Sequence, residues 1–363
     1  MESFDIRKAS DTDLACIADL NEIFDLIRIR LTEDLFIKNK FAIDLRITNE
    51  DKFEIKVGPK SEDTYIIYIS IGTIRSVWNL LILSLCDPGI LDSYPEDDTI
   101  QYKPPTVITA ELLYYSSILP AFGFPDDYRS TDGIIRQNIT GARRELCEDL
   151  YNWIIDHLLY HEVMHIARDH FSYYDIYRNT GISEEKKMRE ENKFVRLLEL
   201  DADMHALDYK IRTMPEFQHF KEMPVKEIRA YMFLEFFGYL IIQQLTDRQN
   251  KPIAEQLEET HPPPVMRAIC YDRFLRTIFI EHGLATAAIV TAESLYAWNE
   301  ASKIAVKLGF PPGRWRDNMD EVSFKILNSL TGEYKQLEQI IDHDNVAENH
   351  DLFNQFISEY SFR

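Results

Sequence analysis

Two histidines lie four residues apart in the segment HEVMH, at positions 161 and 165. On a helix such residues share one face, about 5–6 Å apart, so both imidazoles can converge on one ion. The apolar stripe that includes Leu150 and Ile154 predicts leucine or isoleucine at these two positions, and the sequence has His161 and His165 instead. Burying them beside Glu162 is costly unless a partner satisfies them, which a metal ion would do. The motif alone leaves a pair of hydrogen-bonded core histidines as the alternative.

Two further histidines flank this motif. His157 lies one turn before it, and we predict a hydrogen-bonded core residue there. His170 follows it, and on a helix that continues to residue 172 the 3.6-residue period turns its side chain away from His161. We therefore expect that neither histidine is a metal ligand.

An acidic residue in the next patterned segment is the candidate for a third ligand. Catalytic zinc usually has three protein ligands and one position open for water. In the helix predicted over 193–211, Glu199 falls on the inner stripe beside two alanines, which allow close approach of a neighbouring helix. Asp203 lies one turn further on, where its carboxylate can contact a ligating imidazole and fix its tautomer. Asp201 is expected to point into solvent.

A histidine and an arginine flank a proline run in the segment THPPPVMR, residues 260–267. Prolines favour an extended entry and then a helix start. This arrangement would hold His261 at the mouth of the helix and direct Arg267 inward from its second turn. Taken by itself, the segment predicts only a helix that begins at a proline.

Together, and in this order, HEVMHIARDH, ELDADMHA and THPPPVMR resemble the motifs of the gluzincin zinc metallopeptidases, closest to the M48-like group of Ste24-, HtpX- and Oma1-type peptidases. The resemblance spans residues 150–270. It implies a zincin-like core and a role for each of the following residues. Zn²⁺ is held by His161, His165 and Glu199; Glu162 is the general base; Asp203 supports a ligand and Arg267 pairs with it; His261 is an active-site histidine.

The resemblance also implies a mechanism and a substrate. Glu162 takes a proton from water that zinc has made more acidic, and the substrate is a protein or peptide. His261 either hydrogen-bonds the oxyanion or occupies the open zinc position and keeps the site inactive. The strand TYIIYISIG is predicted as the edge along which an extended substrate pairs. The alternative to an endopeptidase is a catalytically silent, zinc-stabilised binding scaffold, which would not need Glu162.

Two features separate the chain from the M48-like group. We predict no membrane helix, and Asp201 stands where many members have glutamate. The HExxH motif and an acidic N-terminal half also resemble those of phage-exclusion proteases, which suggests a regulatory or defence role.

Hydrophobic periodicity predicts a predominantly helical α+β fold, with a small N-terminal β-sheet and a helical C-terminal region. The runs KFEIKV and TYIIYISIG, joined by PKSED, predict a β-hairpin. Thr73 is the predicted cap of the helix that follows. The stretch 174–192 is predicted as a linking loop or a solvated helix. Further helices are predicted over residues 10–38, 108–118, 143–172, 193–211 and 226–246. The predicted domains are 1–142, the zinc-binding core 143–270, and 271–363.

Composition and charge restrict the class of partner. A net charge of −21 and a pI near 4.9 argue against binding to nucleic acid or anionic lipid. Neither 65–85 nor 231–245 has the roughly 20 consecutive apolar residues of a membrane span. The N-terminus has no apolar signal core. The cysteines lack metal-site spacing and are predicted to be reduced: Cys16, Cys86, Cys147 and Cys270. We expect a soluble, cytoplasmic protein whose oligomeric state is left open.

Overall fold

The computed structural model describes most of the chain. The described residues are 3–9, 11–33, 41–61, 63–85, 89–91, 141–179, 184–213, 223–246, 256, 261–307 and 321–341. The helix predicted over 108–118 and Cys86 lie outside these ranges, whereas the other three cysteines have free thiols.

The N-terminal sheet has three described strands, β1 (Ala42–Thr48), β2 (Ile55–Ser61) and β3 (Thr64–Ser70), in the order β1-β3-β2. The hairpin of β2 and β3 is antiparallel, as predicted, while β1 pairs parallel with β3. Strand β3 is central because it pairs with β1 on one side and with β2 on the other. Its apolar residues are buried against the core. The prediction that TYIIYISIG forms an edge is therefore wrong. Of the described strands, β1 and β2 form the edges.

Helices make up most of the described chain, so the prediction of a mainly helical fold with a small sheet is confirmed. Within the described ranges they are α1 (Asp11–Glu33), α2 (Ile71–Leu85), α3 (Ala142–Ala167), α4 (His170–Asn179), α5 (Glu184–Thr213), α6 (Val225–Thr246), α7 (Pro264–Glu281), α8 (Ala287–Lys307) and α9 (Glu321–Ile341). None of these helices has the length and apolar character needed to cross a membrane.

Three helix boundaries differ from the prediction. Helix α3 ends at Ala167, because Asp169 adopts a left-handed conformation (φ 55°) that aspartate tolerates better than most residues. The single helix predicted over 143–172 is therefore wrong. Helix α5 begins at Glu184, so much of the segment predicted as a loop or a solvated helix is helical. Helix α2 is capped by Ser70, whose hydroxyl accepts from the Thr73 N–H at 2.9 Å, and not by Thr73.

Helix α3 is the central element of the core. It contacts α1, α2, α4, α5 and α6, and it also packs on β2. Its buried residues lie on almost every side, which explains its weak amphipathic character. One cluster of buried apolar residues, from Cys16 to Ile341, includes members of all three predicted domains. The domain division itself stays a prediction.

Gly72 provides a test of the junction between the sheet and α2. A Cβ atom at this position would lie 2.3 Å from the Asp51 carbonyl carbon and oxygen, although Ala is the better helix former. We expect Gly72→Ala to lower the free energy of unfolding by about 1–3 kcal/mol through overpacking, measured by urea denaturation. Gly332→Ala in α9 is the matched control, because its Cβ meets nothing within 4 Å. It should stabilise by about 0.5–1 kcal/mol, and equal effects would contradict the prediction.

Candidate metal centre

Helices α3 and α5 bring His161, His165 and Glu199 together. Their ligand atoms all lie within 4.8 Å of one another. The two Nε2 atoms are 3.2 Å apart, and oxygens of the Glu199 carboxylate lie 3.4 Å from His161 Nε2 and 3.6 Å from His165 Nε2. These three residues can therefore hold a metal ion.

The donor set and its spacing fit zinc. Two imidazoles and one carboxylate form a common ligand set of catalytic zinc, with bonds of about 2.0–2.2 Å in tetrahedral geometry. Such a geometry separates neighbouring ligand atoms by about 3.3–3.5 Å, close to the 3.2 Å between the two Nε2 atoms and the 3.4 Å from His161 Nε2 to Glu199 Oε2. The 3.6 Å contact of His165 Nε2 is with the other oxygen, Oε1. The pair of Nε2 atoms is satisfied by a shared proton or by a common ion, and the carboxylate beside it favours a cation.

A buried ion pair supports His161 from behind. Its Nδ1 lies 2.9 Å from Asp203 Oδ1, and Arg267 donates to both oxygens of Asp203 at 2.7 and 2.6 Å. The Tyr239 hydroxyl donates to the same carboxylate at 2.8 Å. Burial disfavours the charged ring, yet Asp203 and Glu199 raise the pKa of His161 to about 10. Burial opposes ionisation of Asp203 as well, but Arg267 and His161 hold its pKa well below the usual range.

A second network lies behind His165. His170 Nδ1 is 2.9 Å from His165 Nδ1, and His170 Nε2 is 2.8 Å from Asp201 Oδ2. Arg168 donates to both oxygens of Asp201 at 2.8 and 3.0 Å. The prediction that Asp201 is solvated is wrong, because its side chain is completely buried. The prediction that His170 points away along a continuous helix is also wrong, because the turn at Asp169 directs its side chain back toward His165. It contacts His165 at Nδ1, the ring nitrogen that faces away from the triad.

Glu162 lines the same cavity as the triad and is buried. Burial raises its pKa to about 7, although His161 and a hydrogen bond from the Val57 backbone favour the carboxylate. Val57 belongs to the edge strand β2, and Glu162 therefore lies between that strand and the triad. A carboxyl group with a pKa near neutrality can both accept and return a proton.

A cavity of about 640 Å³ opens onto these groups. His261 lies at its rim with 62% of its side chain exposed, and its Nε2 is 3.7 Å from Glu199 Oε2. The cavity extends between β2, α3 and α6. Residues that line it include Phe53, Glu54, Ile55, Lys56, Val57, Leu158, Tyr239, Ile242, Thr246, Pro262, Pro263 and Pro264.

His157 is buried below the triad, beside a polar network of the core. Its Nδ1 lies 3.5 Å from the Tyr271 hydroxyl, which donates to Glu235 at 2.6 Å, and Glu235 pairs with Lys210 at 3.0 Å. Burial lowers the pKa of His157 well below its usual value. Within the described part of the chain, His157 Nε2 has no hydrogen-bond partner. The predicted hydrogen-bonded core residue is thus satisfied at one nitrogen.

Sequence reasoning missed Arg168, Tyr239 and the role of Asp201. Tyr239 lies in the very apolar helix α6, where nothing distinguishes it from a packing residue. Arg168 lies in HEVMHIARDH and Asp201 in ELDADMHA. Their opposite charges were the signal from which an ion pair could have been predicted.

Comparison with protein-family models, with curated proteins and with solved structures gives no match for this chain.

The Asp203–Arg267 pair provides a stability test of the site. Arg267→Met would leave a buried carboxylate without its bidentate cation, so we expect a loss of about 3–5 kcal/mol in the free energy of unfolding. The measurement is urea denaturation with a chelator present, which removes any contribution from metal binding.

Arg212→Met is the matched control, because Arg212 pairs with Asp208 on the surface and is 62% exposed. It should change stability by less than about 0.5 kcal/mol. A loss below about 1 kcal/mol for Arg267→Met would mean that the ion pair does not hold α7 to the site.

Proposed function

We propose that this protein is a zinc-dependent endopeptidase with a zincin-like core. The observation that carries the proposal is the convergence of His161, His165 and Glu199 within 4.8 Å, with buried Glu162 lining the same cavity. A His₂Glu ligand set beside an additional carboxylate is the composition of a hydrolytic zinc centre.

The proposed roles follow from the contacts of each residue. When bound, Zn²⁺ would polarise a peptide carbonyl and lower the pKa of water toward neutrality. Glu162 accepts the proton of the attacking water and passes it to the leaving amine, for which a pKa of about 7 is suitable. His261, exposed at the cavity rim, donates a hydrogen bond to the carbonyl oxygen as negative charge develops there.

The substrate is proposed to be an extended peptide that pairs with β2. Residues 53–57 line the cavity, and the backbone N–H of Val57 points at Glu162. Because backbone groups alternate along a strand, those of Ile55 face the same side as those of Val57. Pro59 occupies the same register, where its missing N–H costs no pairing with β3. An extended chain bound there would cross the triad, as β-augmentation requires.

Glu162 favours the enzyme over the binding scaffold. A structural zinc site closes its coordination with protein ligands and does not need an acid beside them. Here Glu162, an acid outside the proposed ligand set, is buried, and burial raises its pKa to about 7. Besides accepting a hydrogen bond from the Val57 backbone, Glu162 faces an open cavity, which supports catalysis.

Metal content tests the centre directly. We expect the purified chain to carry about one zinc ion, measured by elemental analysis, and added zinc to raise its melting temperature. His161→Ala and Glu199→Ala should abolish both effects, because each removes a ligand. Asp208→Asn on the same helix α5 is the control and should retain both. Near-zero zinc in the wild type, with no response to added metal, would rule out the centre.

Glu162→Gln separates the metal from the chemistry. We expect this variant to retain its zinc and to lose hydrolysis by at least about 10²–10⁴-fold, because the amide cannot accept the proton. The measurement is proteome-wide detection of new N-termini in cells that produce the wild type or the variant. Glu145→Gln, at an exposed position of the same helix α3, is the control. Cleavage by Glu162→Gln would refute this mechanism, and a zinc-loaded wild type that cleaves nothing would favour the scaffold.

A further inference from the structure

The two histidines of the triad have different partners behind them. His161 faces a carboxylate directly, through its contact with Asp203 at 2.9 Å. His165 faces another histidine, His170, and the carboxylate of Asp201 stands one step further away. Each carboxylate is held at both oxygens by an arginine. Helix α5 thus supplies two buried aspartates, two residues apart, one for each histidine, and each is paired with an arginine from another part of the chain.

The hydrogen positions in the His165 chain follow from the acceptor at its end. Asp201 is completely buried, and the Arg168 guanidinium donates to both of its oxygens, as it does to an ionised carboxylate. An ionised carboxylate accepts hydrogen bonds and cannot donate. The ring proton of His170 is therefore on Nε2, where it is donated to Asp201 at 2.8 Å.

A ring that carries one proton, on Nε2, has Nδ1 as an acceptor. The contact between the two Nδ1 atoms, 2.9 Å long, then requires the proton to be on Nδ1 of His165. In that tautomer His165 Nε2 is unprotonated, and Nε2 is the atom that faces His161 and Glu199. The nitrogen that carries the proton is set by the hydrogen bond that the other nitrogen makes.

The backbone conformation between α3 and α4 makes this series of hydrogen bonds possible. A helix that continued past Ala167 would turn His170 away from His165 by the helical period. Instead Asp169 takes the left-handed conformation at φ 55°, and α4 begins immediately at His170. The same turn leaves Arg168 at the end of α3, where it reaches Asp201.

We propose that His170 is a positioning residue, which together with Asp201 and Arg168 fixes the tautomer of His165 that exposes Nε2 to the metal. The inference rests on the metal centre of the proposed function and assigns His170 no contact with the metal or the substrate. Groups that orient a metal-ligating histidine typically change metal affinity by 10–100-fold when removed.

The test combines zinc affinity with the position of the ring protons. By competition with a chromophoric chelator, His170→Phe and Asp201→Asn should each bind zinc roughly 10–100-fold more weakly than the wild type. Asparagine can donate to His170 Nε2, which would reverse the chain and place a proton on His165 Nε2. His170→Gln, whose amide both accepts and donates, should restore part of the loss. His282→Phe, at an exposed histidine, should have no effect.

Nitrogen-15 NMR of the histidine rings gives a readout that a packing role would not change. We expect the His170 proton on Nε2 with and without zinc, and the His165 proton on Nδ1 in the zinc-loaded protein. A His170 proton on Nδ1, or wild-type zinc affinity in both His170→Phe and Asp201→Asn, would overturn the inference while leaving the metal centre intact. If the wild type binds no zinc, the proposed function fails, and the metal-free spectrum still decides the tautomer of His170.

Discussion

Asp201 and Asp203 are both completely buried on α5, and a carboxylate is buried only where cations and hydrogen-bond donors replace its water shell. Arg168 from the end of α3 and Arg267 from the second turn of α7 fill that role, each with two hydrogen bonds. Because an unpaired partner would cost several kcal/mol, these two pairs fix α3, α5 and α7 relative to one another. The spacing of His161, His165 and Glu199 depends on that relation.

Burial disfavours the ionised form of both Asp203 and Glu162, but their different partners shift the two pKa values in opposite directions. Asp203 has a guanidinium and an imidazole against it, and its pKa falls well below the usual range despite desolvation. Glu162 has a backbone N–H and more distant charges, so desolvation prevails and its pKa rises to about 7. In the proposed mechanism the two carboxyl groups have different roles, Asp203 supporting a ligand and Glu162 moving a proton, as environments that separate their pKa values allow.

The parts of the site that could be predicted from sequence are those set by local geometry. The i,i+4 spacing places His161 with His165 on one helix and Glu199 near Asp203 on another, whatever packs around them. Asp201 and the direction of His170 depend on contacts between helices. The helical period shows where the Asp201 side chain points relative to the axis of its own helix, but it does not show that Arg168 of another segment lies beside it. The turn at Asp169 contains no glycine or proline that would have predicted it. The central position of β3 depends on its parallel partner β1, which is not part of the hairpin that the local pattern predicts.

The buried polar groups of the site would be costly in a protein that used them only for stability. Replacing buried ion pairs with apolar residues is often neutral or stabilising, and helices α2 and α6 of this protein are largely apolar. Glu162 accepts a hydrogen bond from the Val57 backbone, but it is also a buried acid that faces a cavity of about 640 Å³. A metal ion would satisfy the triad, and a reacting water would satisfy Glu162. The proposed hydrolytic function accounts for both costs, whereas metal binding alone accounts for only the first.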